Sequence, residues 1–120
     1  MDAVTAGPDG RAEDRLDAAL VVLRGRARAR NAARVDEAAR LLGHGPDGTG
    51  APTPEAVLEA AALCHAVAGS AGTFGDDDTT AAARALETAL RAGDLAAVPA
   101  RLRSLHALTD GARDGSDPES

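Results

Sequence analysis

The sequence contains no lysine, isoleucine, tryptophan or tyrosine, and it has one phenylalanine and one cysteine. The scarcity of aromatic and β-branched residues argues against a β-sheet protein, because these residues are the ones that favour strands. The single cysteine, Cys64, excludes an internal disulfide and fits a reducing compartment. No apolar run approaches the ~20 residues of a membrane span, and residues 1–10 lack a signal-peptide layout. We therefore expect a cytoplasmic protein with no membrane partner.

The charges that are present are mostly acidic, with a net charge of −6, and all 13 basic residues are arginines. A general binder of nucleic acid needs a positive surface, so no nucleic-acid partner is expected. The densest basic run is Arg24, Arg26, Arg28 and Arg30. Because these arginines alternate by two, they spread around a helix, which indicates a solvated surface rather than a basic patch.

Hydrophobic residues make up 44% of the chain, and many of them are alanine, the strongest helix former. The first predicted helix begins near Ala12 and ends at Gly43. Its apolar stripe changes direction where Arg30 and Arg34 interrupt it, which predicts a kink, a stutter or a short break between Gly25 and Asn31. The two parts of the stripe are Leu16, Leu20, Leu23 and Ala27, then Val35, Ala39 and Leu42.

Three further helices follow from start and stop signals. Thr53 and Pro54 begin the second, which ends near Thr73, and the third lies between the acidic residues 76–78 and Gly93. The fourth begins near Leu95 or Pro99 and ends near Thr109. The predicted inward residues are Ala60, Leu63, Cys64, Val67, Ala71 and Phe74, then Ala82, Leu86, Ala89 and Leu90, then Leu95, Val98, Leu102, Leu105 and Thr109.

Four amphipathic helices without strands predict an all-α protein, an up-down four-helix bundle. We expect a monomeric bundle domain over residues 12–109, with a mobile loop at residues 44–53. Residues 1–11 and 110–120 are expected to be a disordered N-terminus and a disordered tail.

The stretch His65-Ala66-Val67-Ala68-Gly69-Ser70 carries the chemistry. If Cys64 and Val67 face the core, the side chain of His65 points about 140° away, towards solvent. Two helical glycines on that side each cost about 1 kcal/mol relative to alanine, which indicates that another surface approaches closely. The expected neighbours of His65 on this face are small: Ala61, Ala62, Gly69 and Gly72.

This stretch resembles the histidine-phosphotransfer (HPt) family. The family pattern is a histidine, a lysine three residues later, Gly-Ser next, and an apolar residue before a glycine ten residues after the histidine. His65, Gly69-Ser70 and Phe74-Gly75 are in register with it, and residues 83–95 resemble the next helix of the family. The resemblance covers residues 55–108 and is weaker over residues 12–43.

The resemblance implies that His65 is the phospho-acceptor and that the protein is a phosphoryl-group carrier rather than a stand-alone enzyme. The implied partners are a receiver domain and a sensor histidine kinase, acting in trans in a bacterial-type phosphorelay. No cofactor is expected on this chain, because Mg²⁺ would belong to the receiver. Gly69 would leave room for the phosphoryl group, Ser70 would help to position the imidazole, and neutral imidazole is nucleophilic near pH 7.

The lysine of the family pattern is replaced by Ala68. Two alternatives therefore stay open: a docking module that binds a receiver or kinase without transfer, and a helical adaptor unrelated to phosphorelay. His44 and His106 are interpreted as solvated or packed side chains, and Cys64 as a core residue. Asp76, Asp77 and Asp78 lack the spacing of metal ligands, so they are interpreted as helix-capping residues.

Overall fold

The computed structural model contains four helices: α1 (Asp2–Gly43), α2 (Pro54–Thr73), α3 (Asp77–Ala92) and α4 (Val98–Asp114). It describes the backbone of residues 2–43 and 51–114 and the side chains of residues 11–43 and 51–110. Helices α1 and α3 lie at opposite corners, and each packs against both α2 and α4. No strand occurs among the described residues. The prediction of an all-α four-helix bundle is confirmed.

The helix ends follow the local sequence signals. The Thr53 side chain accepts a hydrogen bond from the Ala56 amide at 3.0 Å, with Pro54 in the first turn, as predicted for the start of α2. The Asp76 side chain caps α3 in the same way. Gly75 and Gly93 follow α2 and α3 with φ of 75° and 74°, a conformation that favours glycine. These ends fix where α2 stops and α3 turns back beside it.

The core is built from a few large side chains and many alanines. The largest fully buried side chains are those of Leu86, Leu90, Leu105, Val35 and Val67. Six buried alanines of the core cluster fill the space between them. Small side chains let the helix backbones approach closely. The Thr80 hydroxyl donates a 3.4 Å hydrogen bond to the carbonyl of Ala68, which shows that α3 lies directly against the α2 backbone.

The N-terminal half of α1 differs from the prediction. Its expected core stripe is exposed: the exposed fractions of Leu16, Leu20 and Leu23 are 60%, 40% and 48%. From residue 11 onwards, the first buried residue of α1 is Ala27. A short break between Gly25 and Asn31 is absent, since α1 is continuous. A kink or a stutter in the same stretch stays a prediction. Leu16, Leu20 and Leu23 lie outside the described core, so the change in direction of the stripe does not disturb that core.

The ends of two helices also differ from the prediction. Helix α1 begins at Asp2 rather than near Ala12, and α4 continues to Asp114 rather than ending near Thr109. Leu95 is exposed and precedes α4, so it is not part of the α4 stripe. Residue 1, residues 44–50 of the predicted loop and residues 115–120 of the predicted tail lie outside the described residues.

Two polar contacts join the helices where the sequence predicted none. Asn31 is buried on α1 and donates a 3.2 Å hydrogen bond to the Ser70 hydroxyl on α2, while its side-chain oxygen accepts from Arg34. His106 on α4 pairs with Asp36 on α1 at 3.0 Å. Every buried polar side-chain atom among the described residues has a hydrogen-bond partner.

Helix α2 is the most apolar helix. By length and a mean hydropathy of 1.2 it would qualify as a membrane span, which the search for apolar runs in the sequence did not indicate. One third (33%) of that window is buried inside the bundle, and core helices of soluble proteins commonly pass the same test. Composition alone is therefore weak support for a membrane span.

Candidate functional site

His65 lies on the exposed side of α2, in the second half of the helix. Its neighbours Cys64 and Val67 are buried, and its own side chain is 76% exposed. The period of the helix produces this separation, because residues 64 and 67 share one face and residue 65 lies off it. The imidazole is therefore accessible to another protein.

The His65 ring is oriented by Glu87 of α3. The Nδ1 atom lies 3.2 Å from Oε2 and 3.3 Å from Oε1 of that carboxylate. An ionised carboxylate only accepts hydrogen bonds, so Nδ1 is the donor in this contact. The neutral imidazole then carries its proton on Nδ1, and Nε2 is left with a free lone pair.

Glu87 itself is held from a second side. The Nε of Arg91, one turn further along α3, donates a 2.8 Å hydrogen bond to Oε2. Burial of the Glu87 side chain, which is 15% exposed, opposes its charge. The hydrogen bonds from Arg91 and His65 outweigh that effect and lower the pKa of Glu87 below its usual value. The carboxylate is therefore ionised at neutral pH.

His65 and Glu87 belong to an open depression of about 550 Å³ between α2 and α3. Helix α2 contributes His65, Ala68 and Gly69, and α3 contributes Arg84, Glu87, Thr88 and Arg91. The depression thus places two arginines beside an accessible nucleophilic nitrogen. None of these α3 residues was predicted, because nothing in the sequence gives the register between α2 and α3.

The residues predicted around His65 separate into three groups. Ala62, Gly69 and Gly72 are exposed, as the helical period indicated. Ala61 is buried, so its assignment to the open face was wrong: α2 packs on both α1 and α3, and its buried arc is wider than one stripe. Ala68 is also buried, but it lines the same depression as His65. Ser70 faces α1, where its hydroxyl accepts from Asn31, and makes no hydrogen bond to the imidazole.

Gly69 has space above it. A Cβ atom added at this position would meet no atom within 4 Å, so packing inside the bundle does not require a glycine here. A Cβ atom on Gly72 would lie 3.6 Å from the Thr80 hydroxyl, an ordinary contact. Close approach of another molecule remains as a reason for glycine at residue 69.

Comparison with protein families gives a match over most of the chain. The family model described as "Hpt domain" matches residues 14–115, which is most of the chain. The chain belongs to the Hpt domain family. No curated protein and no solved structure matches it significantly. The match includes α2, α3 and most of α1, so membership extends over the region where the sequence resemblance was weaker.

Two other candidate residues of this Hpt domain, Asp76 and His106, are not among those that line the depression. Asp76 caps α3, and no cluster suited to a metal occurs among the described residues. His106 is paired with Asp36, and His44 lies outside the described residues. Among the described residues, His65 is the histidine that lines the α2–α3 depression.

Cys64 is next to His65 in sequence, but its side chain is buried in the core. Desolvation and the nearby negative charge of Glu87 raise the pKa of its thiol to about 12. Since only the thiolate reacts, iodoacetamide at pH 8 should leave the folded Hpt domain unmodified and should label Cys64 fully in urea. Mass spectrometry of both samples measures this, and rapid labelling of the folded protein would contradict the placement of Cys64 in the core.

Proposed function

We propose that this Hpt domain is a phosphoryl carrier that relays a phosphoryl group between a sensor histidine kinase and receiver domains through His65. The observation that carries the proposal is the hydrogen bond between His65 Nδ1 and Glu87, on a ring that is 76% exposed. That bond selects the tautomer in which Nε2 is the nucleophile and leaves Nε2 open to a partner. Family membership supports the reaction class.

The transfer step follows from this arrangement. Nε2 of His65 attacks the phosphorus of an aspartyl phosphate on the receiver, an N–P bond forms, and the P–O bond to the aspartate breaks. The aspartate leaves as a carboxylate, and the proton on Nδ1 stays in its hydrogen bond to Glu87. Attack leaves positive charge on the ring, which the ionised carboxylate stabilises. Transfer onward reverses these bond changes on another receiver.

The partner surface is the exposed face around His65. Ala62, Gly69 and Gly72 are exposed there and present almost no side chain, so the wall of a receiver active site has room to approach. We propose that Mg²⁺ is held by the receiver and that this chain needs no cofactor of its own. We propose also that the chain acts as a cytoplasmic monomer, with neither nucleic acid nor a membrane as a partner.

The test is transfer of label from a receiver. Candidate receiver domains, each phosphorylated on aspartate with ³²P, are mixed with the wild-type chain and separated by electrophoresis. Loss of label from one receiver, matched by its appearance on the wild-type chain within minutes, supports the proposal. Failure with every receiver that binds the chain would refute it.

A second candidate function is docking without transfer, favoured by Ala68 at the position of the family's lysine. In that case the same face binds a receiver or kinase and modulates it. Receiver binding measured by calorimetry, with an affinity that is unchanged in the variant His65→Gln and no label on the wild type, would favour docking over transfer.

Glu87→Ala tests the role of the carboxylate. The variant frees the imidazole and removes the selection of its tautomer. The initial rate of label transfer should fall roughly 10- to 100-fold, the range found when metal-ligating histidines lose their orienting partner. Glu87→Gln keeps an oxygen that accepts from Nδ1 and should retain more of the rate than Glu87→Ala. Equal rates for wild type and Glu87→Ala, from quenched time courses, would show that the contact has no role in transfer.

A further inference from the structure

The register between α2 and α3 identifies the residue that faces Ala68. The two helices pair antiparallel, with His65 beside Glu87 and, nearer the end of α2, Gly72 beside Thr80. Moving three residues from the first pair along each helix reaches Ala68 on α2 and Arg84 on α3. Both residues line the same depression as His65.

The Arg84 side chain is available for an incoming anion. It is exposed, and it makes no hydrogen bond or ion pair with any residue that the structure describes. Arg91, the other arginine of the depression, is already engaged with Glu87. Arg91 therefore holds the carboxylate that orients the His65 ring, whereas the guanidinium of Arg84 has hydrogen-bond donors that no described residue uses.

Phosphorylation changes the charge balance of the depression. A phosphoryl group on Nε2 adds close to two negative charges near neutral pH, only one ring away from the ionised Glu87. A guanidinium presents several donors in a plane that matches phosphate oxygens. Because Ala68 is buried and small, nothing on α2 at this level fills the space that the Arg84 side chain must cross to reach the phosphoryl group.

We propose that Arg84, acting across the depression from α3, supplies the cation that binds the phosphoryl group on His65. In this chain it takes the place of the lysine that the family pattern has at the position of Ala68. The inference rests on the proposed transfer function. It also explains why an arginine need not appear at residue 68 in a chain that uses arginine for all its basic residues.

The first test measures the equilibrium of transfer. Arg84→Ala should lower the fraction of phosphoryl group held by the chain against a receiver, with an equilibrium constant reduced roughly tenfold, the effect of one charge-assisted hydrogen bond. Arg101→Ala, which removes an exposed arginine of α4 outside the depression, is the matched control and should match the wild type. Arg84→Lys should retain much of the wild-type value, because it keeps the charge. An unchanged equilibrium constant in Arg84→Ala would overturn the assignment.

Compensation gives an independent test. Adding Ala68→Lys to Arg84→Ala returns a cation to the depression from the other helix and should recover a large part of the lost equilibrium constant. Circular dichroism shows whether this double variant folds, since residue 68 is buried. If it does not fold, the comparison of Arg84→Lys with Arg84→Ala still decides the question.

A third measurement separates this inference from the proposed function. Phosphoramidate, a small phosphoryl donor, phosphorylates exposed histidines without a receiver, and ³¹P NMR then follows the titration of the phosphoryl group. Loss of Arg84 should raise the pKa of that group, because the cation favours its more negative form. Wild type loaded by phosphoramidate but by no receiver would refute the relay while leaving the Arg84 assignment testable. Identical titrations in wild type and Arg84→Ala would refute Arg84 alone.

Discussion

Replacing His65 with glutamine is expected to abolish labelling of the chain by a phosphorylated receiver. Glutamine is similar in size and polar, and the site is 76% exposed, so the bundle should fold normally. The amide offers no nucleophilic nitrogen, and no other histidine among the described residues lines the depression. Label on the chain should therefore fall to the background seen without a receiver, measured by autoradiography after electrophoresis.

The matched control is His106→Gln. This variant removes a different histidine, one that pairs with Asp36 between α1 and α4 and lies outside the depression. It should accept label at the wild-type rate, with a small loss of stability. Label that persists in His65→Gln but disappears in His106→Gln would move the acceptor site to α4.

Replacing Leu86 with alanine is expected to lower the free energy of unfolding by about 2–5 kcal/mol. The Leu86 side chain is 0% exposed and lies in the core cluster, where the neighbouring alanines are too short to fill the cavity that would remain. A domain with so few large core residues has a small free energy of unfolding, so a loss of this size is a large fraction of it. Urea unfolding followed by circular dichroism measures the change.

Leu20→Ala is the matched control for this prediction. It makes the same substitution on α1 at a side chain that is 40% exposed, and alanine also has the higher helix propensity. The free energy of unfolding should change by less than about 0.5 kcal/mol. A loss comparable with that of Leu86→Ala would mean that the N-terminal half of α1 packs against something, and the account of that segment would be wrong.

The local ends of the helices were predictable because each depends on a few adjacent residues. Thr53 caps α2 with its side chain, Pro54 has a fixed φ, and Gly93 ends α3 with a positive φ. None of these features depends on contacts with distant parts of the chain. The exposed position of His65 followed from the period of α2 for the same reason. Sequence reasoning about such short-range physics is reliable because the interacting groups are neighbours along the chain.

The errors came from features that depend on neighbouring helices. The Leu16–Leu23 stripe has the correct period for a buried face, but periodicity does not show whether another helix covers it. Ala61 was assigned to the open face because one apolar stripe was assumed, whereas α2 contacts two helices. Glu87 reaches His65 from 22 residues away, and only the register between α2 and α3 brings them together.

The position of the phosphoryl group tests the central claim most directly. The wild-type chain is phosphorylated by a receiver, the label is challenged with acid and with base, and ³¹P–¹H NMR identifies the nitrogen that carries it. The account predicts an acid-labile, base-stable phosphoryl group on Nε2 of His65, the nitrogen opposite the hydrogen bond to Glu87. A phosphoryl group on Nδ1 or on another residue, or no label from a receiver that binds, would contradict it.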